Sequence, residues 1–427
     1  MEIKVPYGDT EKTIRVPPEV RVDFLGPAEI HPVEDLEKAF SDACRTPVGK
    51  SGLDDVVSAK GSVVVVVSDL TRAKGTEELL PLCIDYLAER GVPQNSITVV
   101  VARGTHRQLT KEEKVFLRSG PLAGVHIEEH DCDDTAKLSA LMLTRRGTPV
   151  RVNSKLKTAD AVILLSPVSF HYFAGFGGGR KLVLPGCADR SAIMANHRLS
   201  LSDTQPVTLQ AGCWPGQLDG NPVHEDMCEA VGALDGVVGI NFYSDAHGNI
   251  VFMNSGDPIK AHRDASEAFK ATHLCLVDEP YDLMILGAGG HPYDINLLQS
   301  HKALRHAAGA VRDGGTILYY AQCGEGIGSE SLDAAVQMRR DEFLKAAYER
   351  YDLNNQTAVS LLGLTSSFEI GMVSAMNVDV LLSCGIKPCV NTESFLVEAL
   401  EKHGATRIAL VPDGANLLLQ QKGGVKR

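Results

Sequence analysis

No apolar run in this 427-residue chain approaches the roughly 20 residues that a bilayer-spanning helix requires; the longest, such as Val63 to Val67 and Ala161 to Leu165, stop far short of it. The opening MEIKVPYGDTEKTIRVP also lacks the continuous apolar stretch of a secretory signal, because charges interrupt it throughout. Paired cysteines are missing too. The ten are scattered, and the closest pair, Cys384 and Cys389, is wider than the two-residue spacing of a zinc knuckle or redox motif. A cytoplasmic protein with reduced, mostly buried thiols is therefore expected. Basic residues are in deficit, 42 Lys and Arg against 54 Asp and Glu for a net charge of -12. That balance argues against nucleic-acid and membrane partners, while leaving room for a local basic pocket that holds an anion. The sequence has a single tryptophan, Trp214, no internal repeat and no low-complexity tract.

What is present suits a globular protein of two or three domains: 44% of residues are hydrophobic and 22% charged. The first residues alternate around Tyr7-Gly8-Asp9-Thr10, predicting a β-hairpin. Ser62 to Ser68 is rich in β-branched residues and reads as a strand buried on both faces. A helix from a Thr76 cap to Gly91, a strand over 96–102, a helix over 110–117 and a strand over 159–166 come next. This is the grammar of an α/β fold. A second cycle begins near Glu279-Pro280 with a strand over 282–287, a helix over 295–308 and a strand over 315–320. The expected architecture is two α/β domains, 1–278 and 279–427, each with a mainly parallel sheet flanked by helices.

Functional loops belong at the C-terminal ends of such strands. Asp69-Leu70-Thr71-Arg72 leaves the valine strand with a carboxylate, a hydroxyl and a guanidinium, a set suited to anions. Arg103-Gly104-Thr105-His106-Arg107 places a histidine after a glycine turn, where it could transfer protons. The segment from Ser166 to Gly186 is the most distinctive. Within it His171 stands ten residues before Lys181, and Gly177, Gly178, Gly179 and Arg180 directly precede that lysine, a phosphate-cradling composition. It is not a Walker A loop, since Leu182 follows the lysine in place of Ser or Thr. His197 lies sixteen residues past Lys181 with no second ligand at helical spacing. Gln299 and Lys302 share a helix face. This inventory fits proton transfer on a small anionic substrate with a phosphate-bearing cofactor. It leaves open a zinc-dependent hydrolase or lyase using His106, His171 and His197, and a non-catalytic nucleotide-binding protein.

The chain resembles the lactate racemase family through Val-Pro-Tyr-Gly, Asp-x-Thr-Arg, Gly-Thr-His-Arg, His-x-Phe-Ala-Gly-Phe-x-Gly-Gly-Arg-Lys and Asn-Leu-x-Gln-x-x-Lys, spread over nearly its whole length. The resemblance implies a racemase or epimerase of a small 2-hydroxy acid. It also implies a nickel-pincer nucleotide, Ni(II)-pyridinium-3,5-bisthiocarboxylic acid mononucleotide, joined covalently to Lys181 and supplied by dedicated biosynthetic enzymes. On the same basis His106 and His171 are the two acid/base residues, and His197 is a nickel ligand. Arg72, Gln299 and Lys302 orient the substrate carboxylate, while Asp69, Leu70, Thr71, Arg72 and Gly177 to Arg180 surround the cofactor. Two departures stand out. Leu298 occupies the position where the lactate enzymes carry Tyr, and Trp214 does not match their late-chain Trp, for which Phe368 is the candidate replacement. Lactate is thus one candidate, beside a dicarboxylate or a sugar acid. The inferred cleft gathers Arg72, Arg107, Arg180, Lys181 and Lys302 against an acidic outer surface.

Overall fold

The valine run is continuous because its two faces enter two different cores. In the computed structural model, which describes residues 1–49, 51–69, 75–111, 122 and 124–423, Val63, Val65 and Val67 pack with Leu79, Leu80, Ile84 and Leu87 of the helix Thr76–Glu89. Val64 and Val66 pack with Leu182, Val183, Ala192 and Ile193 on the opposite face. Each fully buried valine contributes about 1.5 kcal/mol of transfer free energy, so the strand is pinned from both sides. Its neighbours complete a six-stranded sheet in the order Ile250–Gly256, Val237–Ser244, Ala161–Pro167, Val63–Ser68, Ile97–Ala102 and His126–Glu129. The first pair is antiparallel and the remaining pairs are parallel.

A second sheet, parallel throughout, runs Lys387–Pro388, Glu369–Val373, Val311–Tyr320, Tyr281–Gly287, Arg407–Val411 and Arg21–Phe24. The two-sheet α/β organisation read from the sequence is therefore observed, with a different allocation at the N-terminus. The hairpin Glu2–Tyr7 and Thr10–Arg15 packs Ile3, Val5 and Ile14 on Leu283, Ile285, Leu318 and Leu410, and Arg21–Phe24 is an edge strand of the second sheet. The first 24 residues thus join the second body rather than the 1–278 unit. Local patterning cannot reveal this, because the pairing of Arg21 with Arg407 spans almost the entire chain. The strand Leu274–Val277 also pairs with Leu418–Gln421 across the expected boundary. No helix among the described residues is long and apolar enough to cross a membrane. Leu70, Thr71 and Arg72, and most of the helix expected over 110–117, lie outside the described residues.

Candidate active site

Three adjacent parallel strands, Ala161–Pro167, Val63–Ser68 and Ile97–Ala102, end side by side, so the loops leaving them meet at one edge of the sheet. The loop after Ile97–Ala102 carries His106. Its turn is fixed at both ends: the Gly104 amide donates to the Gly186 carbonyl at 2.9 Å and the Arg103 guanidinium donates to the His106 carbonyl at 2.6 Å. The imidazole is held in turn by Asp69, whose Oδ2 lies 2.5 Å from His106 Nδ1. Asp69 is buried while the histidine is partly open. A buried carboxylate at Nδ1 fixes that nitrogen as the donor and leaves Nε2 for chemistry.

The Ser166–Gly186 segment delivers the amine. Leu182, Val183 and Leu184 sink into the core beneath the sheet and anchor the residue before them, Lys181. Its Nζ stands 3.3 Å from His171 Nε2 and 5.6 Å from the Phe173 ring centroid. His171 sits in a two-strand turn, Phe170–His171 with Gly175–Phe176, where its Nδ1 receives the Ala174 amide at 3.3 Å. His197, on the helix Arg190–Arg198, packs its ring 5.0 Å from Phe173. Burial, reinforced by the charges of Lys181 and His106, lowers its pKa to about 3. It is therefore neutral at physiological pH, with one lone-pair nitrogen available to a metal.

The facing wall belongs to the second body. Asn296 caps the helix Leu297–Ala307 by accepting the Gln299 amide at 3.0 Å, and one turn later the Lys302 ammonium donates to Gln299 Oε1. Tyr172 ties the walls together, its hydroxyl 2.7 Å from Thr357 Oγ1. Between them lies a cavity of about 570 Å³. Asp69, His106, Arg107, His171, Gly177, Gly178, Lys181, His197, Leu298, Gln299 and Lys302 all line it.

Two expected cofactor contacts are placed elsewhere. Arg180 is fully buried, and its guanidinium donates to the carbonyls of Ala174, Gly177 and Gly178 and to imidazole nitrogens of His224 and His262. It braces the loop from inside and does not line the cavity. Gly179 is likewise internal: at φ +52°, a Cβ there would meet His262 at 2.6 Å. The amides of Gly177 and Gly179 are consumed by Ser169 O and Ser166 Oγ, both at 2.7 Å, so close packing accounts for the glycines better than a phosphate nest does. Phe368 is packed in the second body's core and Trp214 lies beneath Arg305, so neither lines the cavity. Sequence reasoning missed the Asp69–His106 pair, although Asp69 and Arg103 each directly follow one of two neighbouring parallel strands, which was the available signal.

Among the described residues, no three His, Cys, Asp or Glu side chains of this cavity bring their ligand atoms close enough together to share one metal ion. The one such cluster, Asp131, Cys132 and Asp133, lies elsewhere, with Asp133 held by Arg190 at 2.6 Å. A zinc hydrolase, which needs three protein ligands and an open position, is not supported.

Two α/β bodies with mainly parallel sheets face a cleft that gathers imidazoles, an amine and a carboxamide–ammonium pair, the equipment of an enzyme active site, and the family to which the chain belongs makes that enzyme an isomerase. The chain belongs to the lactate racemase family: residues 7–208 match the lactate racemase N-terminal domain and residues 277–419 the lactate racemase C-terminal domain. It is 26% identical to the lactate racemase of Thermoanaerobacterium thermosaccharolyticum over 98% of this chain and 99% of that protein. It is also 26% identical to the lactate racemase of Lactiplantibacillus plantarum over 91% of each. The solved lactate racemase apoprotein from T. thermosaccharolyticum superposes with a TM-score of 0.86 at 24% identity, covering 98% of this chain and all of the other. A Thermotoga maritima protein of 18% identity gives 0.67, with 90% and 97% covered.

Proposed function

We propose that this protein inverts C2 of a small 2-hydroxy acid, lactate or a relative with a different side chain, using a nickel-pincer nucleotide joined to Lys181 and held at nickel by His197. The observation that carries this reading is the convergence on one cavity of the Asp69-held His106, the Lys181–His171 pair and His197, with Gln299 and Lys302 facing them. The residues fit the group. Lys181 supplies an amine at the cavity wall, and His197 is a neutral imidazole whose buried Nδ1 has no hydrogen-bond partner among the described residues. A single protein imidazole agrees with a metal that arrives with sulfur ligands of its own. The cavity volume lies within the range of small-molecule and cofactor sites.

When bound, the group supplies an electron-poor ring able to accept and return a hydride. This chain's residues do the rest. Gln299 and Lys302 hold the substrate carboxylate, which fixes C2 relative to the two imidazoles. His106, its Nδ1–H donated to Asp69, presents Nε2 to a hydroxyl proton, and His171, whose Nδ1 accepts the Ala174 amide so that its neutral form carries the proton on Nε2, turns that nitrogen toward Lys181 and the cavity. Racemisation needs two such groups, because the enantiomers direct their hydroxyls to opposite sides. One imidazole removes the proton, the other restores it, and the roles reverse with direction. Phe173, Tyr172 and Leu182 line the cavity with apolar surface that limits water access. The cofactor's biosynthetic enzymes are the expected maturation partners. The ten cysteines are free, which supports a cytoplasmic setting.

The test is co-expression with the cofactor's biosynthetic enzymes, followed by peptide mass mapping of Lys181 and chiral chromatography of 2-hydroxy acids incubated in deuterated water. A covalent adduct on Lys181 and retention of the C2 hydrogen are expected. Wholesale deuterium exchange at C2 would overturn the hydride reading, and undiminished racemisation by His106→Ala or His171→Ala would overturn the two-base assignment.

A further inference from the structure

The N-terminal hairpin is far from the catalytic loops in sequence, yet its turn reaches the back of the cavity wall. The Gly8 amide donates to Asp294 Oδ2 at 2.7 Å, and the Gly8 carbonyl accepts the His291 amide at 3.0 Å. The same Oδ2 accepts the Gln322 amide at 2.9 Å, and the Asp294 carbonyl accepts the Cys323 amide at 2.7 Å. Three segments distant in sequence, the hairpin turn, the 290–296 loop and the 322–325 loop, therefore meet at one carboxylate. That carboxylate is only 1% exposed, its Oδ1 has no hydrogen-bond partner, and it forms no ion pair among the described residues. Burying such a group is costly, and the two amides on Oδ2 are what offsets the cost.

The anchored loop leads directly into the cavity wall. Pro292, Ile295 and Asn296 line the cavity, and Asn296 starts the helix that carries Leu298, Gln299 and Lys302. The backbone of the turn is closely constrained, although the group nearest Gly8 is the movable end of the Gln322 side chain. A Cβ on Gly8, at φ +56°, would lie 2.1 Å from Gln322 Oε1, and one on Gly290 would lie 2.9 Å from the Gly8 carbonyl.

We infer that Asp294, clamped by the Tyr7-Gly8 turn, is a positioning residue that sets the carboxylate-binding end of the helix, so that the N-terminal hairpin forms part of the substrate side of the site. The inference rests on the reading of Gln299 and Lys302 as the groups that hold the substrate carboxylate.

The experiment uses the cofactor-loaded full chain. KM and kcat are measured with lactate, and Kd is measured calorimetrically with oxalate, a planar carboxylate probe. Asp294→Ala and Gly8→Ala should each raise KM and the oxalate Kd about tenfold, with kcat within about threefold and the Lys181 adduct unchanged in mass. Asp294→Asn retains an acceptor for both amides and should stay within about threefold of wild type on all three measures. Lys302→Ala separates the two claims. A rise in KM and Kd for Lys302→Ala with none for Asp294→Ala and Gly8→Ala refutes the positioning role alone. No rise for any of the three refutes the carboxylate reading and the inference with it. A loss of thermal stability in Asp294→Ala with KM and Kd unmoved, or a loss in Asp294→Asn as large as in Asp294→Ala, also overturns the inference.

Discussion

Asp69 Oδ2 and His106 Nδ1 are 2.5 Å apart, although they leave two different strands and stand 37 positions apart in sequence. The carboxylate is buried and the imidazole opens to the cavity, so Asp69 fixes the ring's orientation and, on the proposed reading, aims the base. Asp69→Asn conserves shape but offers an amide that favours the wrong tautomer. It should lower kcat by about 10²- to 10⁴-fold, by analogy with carboxylate-to-amide changes behind other catalytic histidines. Steady-state kinetics on enzyme with an intact Lys181 adduct checks this. A combined Asp69→Asn, His106→Ala variant should be no worse than His106→Ala alone, because the two residues act as a unit.

Arg180 is a buried cation without a carboxylate among its hydrogen-bond partners, surrounded by the carbonyls of Ala174, Gly177 and Gly178 and the imidazoles of His224 and His262. Burial lowers its pKa to about 10, which still leaves it charged at neutral pH. Replacing it with Met would remove the donor that holds three carbonyls of the loop together. A loss of about 3 kcal/mol of stability is expected, together with weaker attachment of the cofactor at the adjacent Lys181. Arg180→Lys should recover little, since an ammonium cannot reproduce the planar fork. Denaturant unfolding and intact mass read the two effects. Wild-type stability in Arg180→Met would mean that the guanidinium does not brace the loop.

Five buried histidines make stability depend on pH in one direction. Burial is the leading cause for each: it lowers His224 to about 2, His301 to about 3, His273 and His306 to about 4, and His262 well below its ordinary value. The unfolded chain takes up protons at about 6.5 while the folded chain does not, so it binds more protons as pH falls below that value. Stability is therefore full above about pH 6.5 and is lost progressively below it. Near pH 5 the uptake on unfolding should be about five protons, six from these histidines and His197, likewise lowered by burial, less at most one that Asp413, raised by burial, offsets in the opposite sense; His130, also lowered by burial, acts in the same direction as the other histidines. Thermal unfolding followed from pH 7.5 to 5 at fixed ionic strength should show a steadily falling Tm. A flat Tm across that range would contradict the burial of these groups.

Sequence carried the local structure well and the long-range structure poorly, for identifiable reasons. Val63 to Val67 could be read as a buried strand because burial on both faces demands an unbroken apolar run. His171, Lys181 and His197 could be singled out because their spacing sits in a segment too rich in Gly, His and Lys for a plain turn. Arg180 could not be assigned correctly: a cation beside Gly-Gly-Gly has the same composition whether it points at a phosphate or into the core, and only packing against His224 and His262 decides. Residues 1–24 could not be allocated either, because parallel pairing of Arg21–Phe24 with Arg407–Val411 leaves no local signature. Asp294 escaped notice for a related reason: its partners, Gly8 and Gln322, are brought to it by the second sheet and not by neighbouring sequence.

Leu298 lines the cavity one residue before Gln299, at the position where the resemblance places a tyrosine in the lactate enzymes. An aliphatic side chain there removes a phenol that could hydrogen-bond beside the substrate and supplies apolar surface in its place, so position 298 is a testable determinant of which 2-hydroxy acid is accepted. Leu298→Tyr restores one hydrogen bond near the carboxylate-holding pair, worth about 1 kcal/mol, and fills space that a longer side chain would use. The ratio of kcat/KM for lactate to that for 2-hydroxybutyrate should accordingly rise by about tenfold. The measurement is chiral chromatography with both acids on wild-type and variant enzyme carrying equal amounts of the Lys181 adduct. An unchanged ratio would remove position 298 from the specificity determinants, and a lower ratio would show that the phenol obstructs lactate and that another group accommodates its methyl.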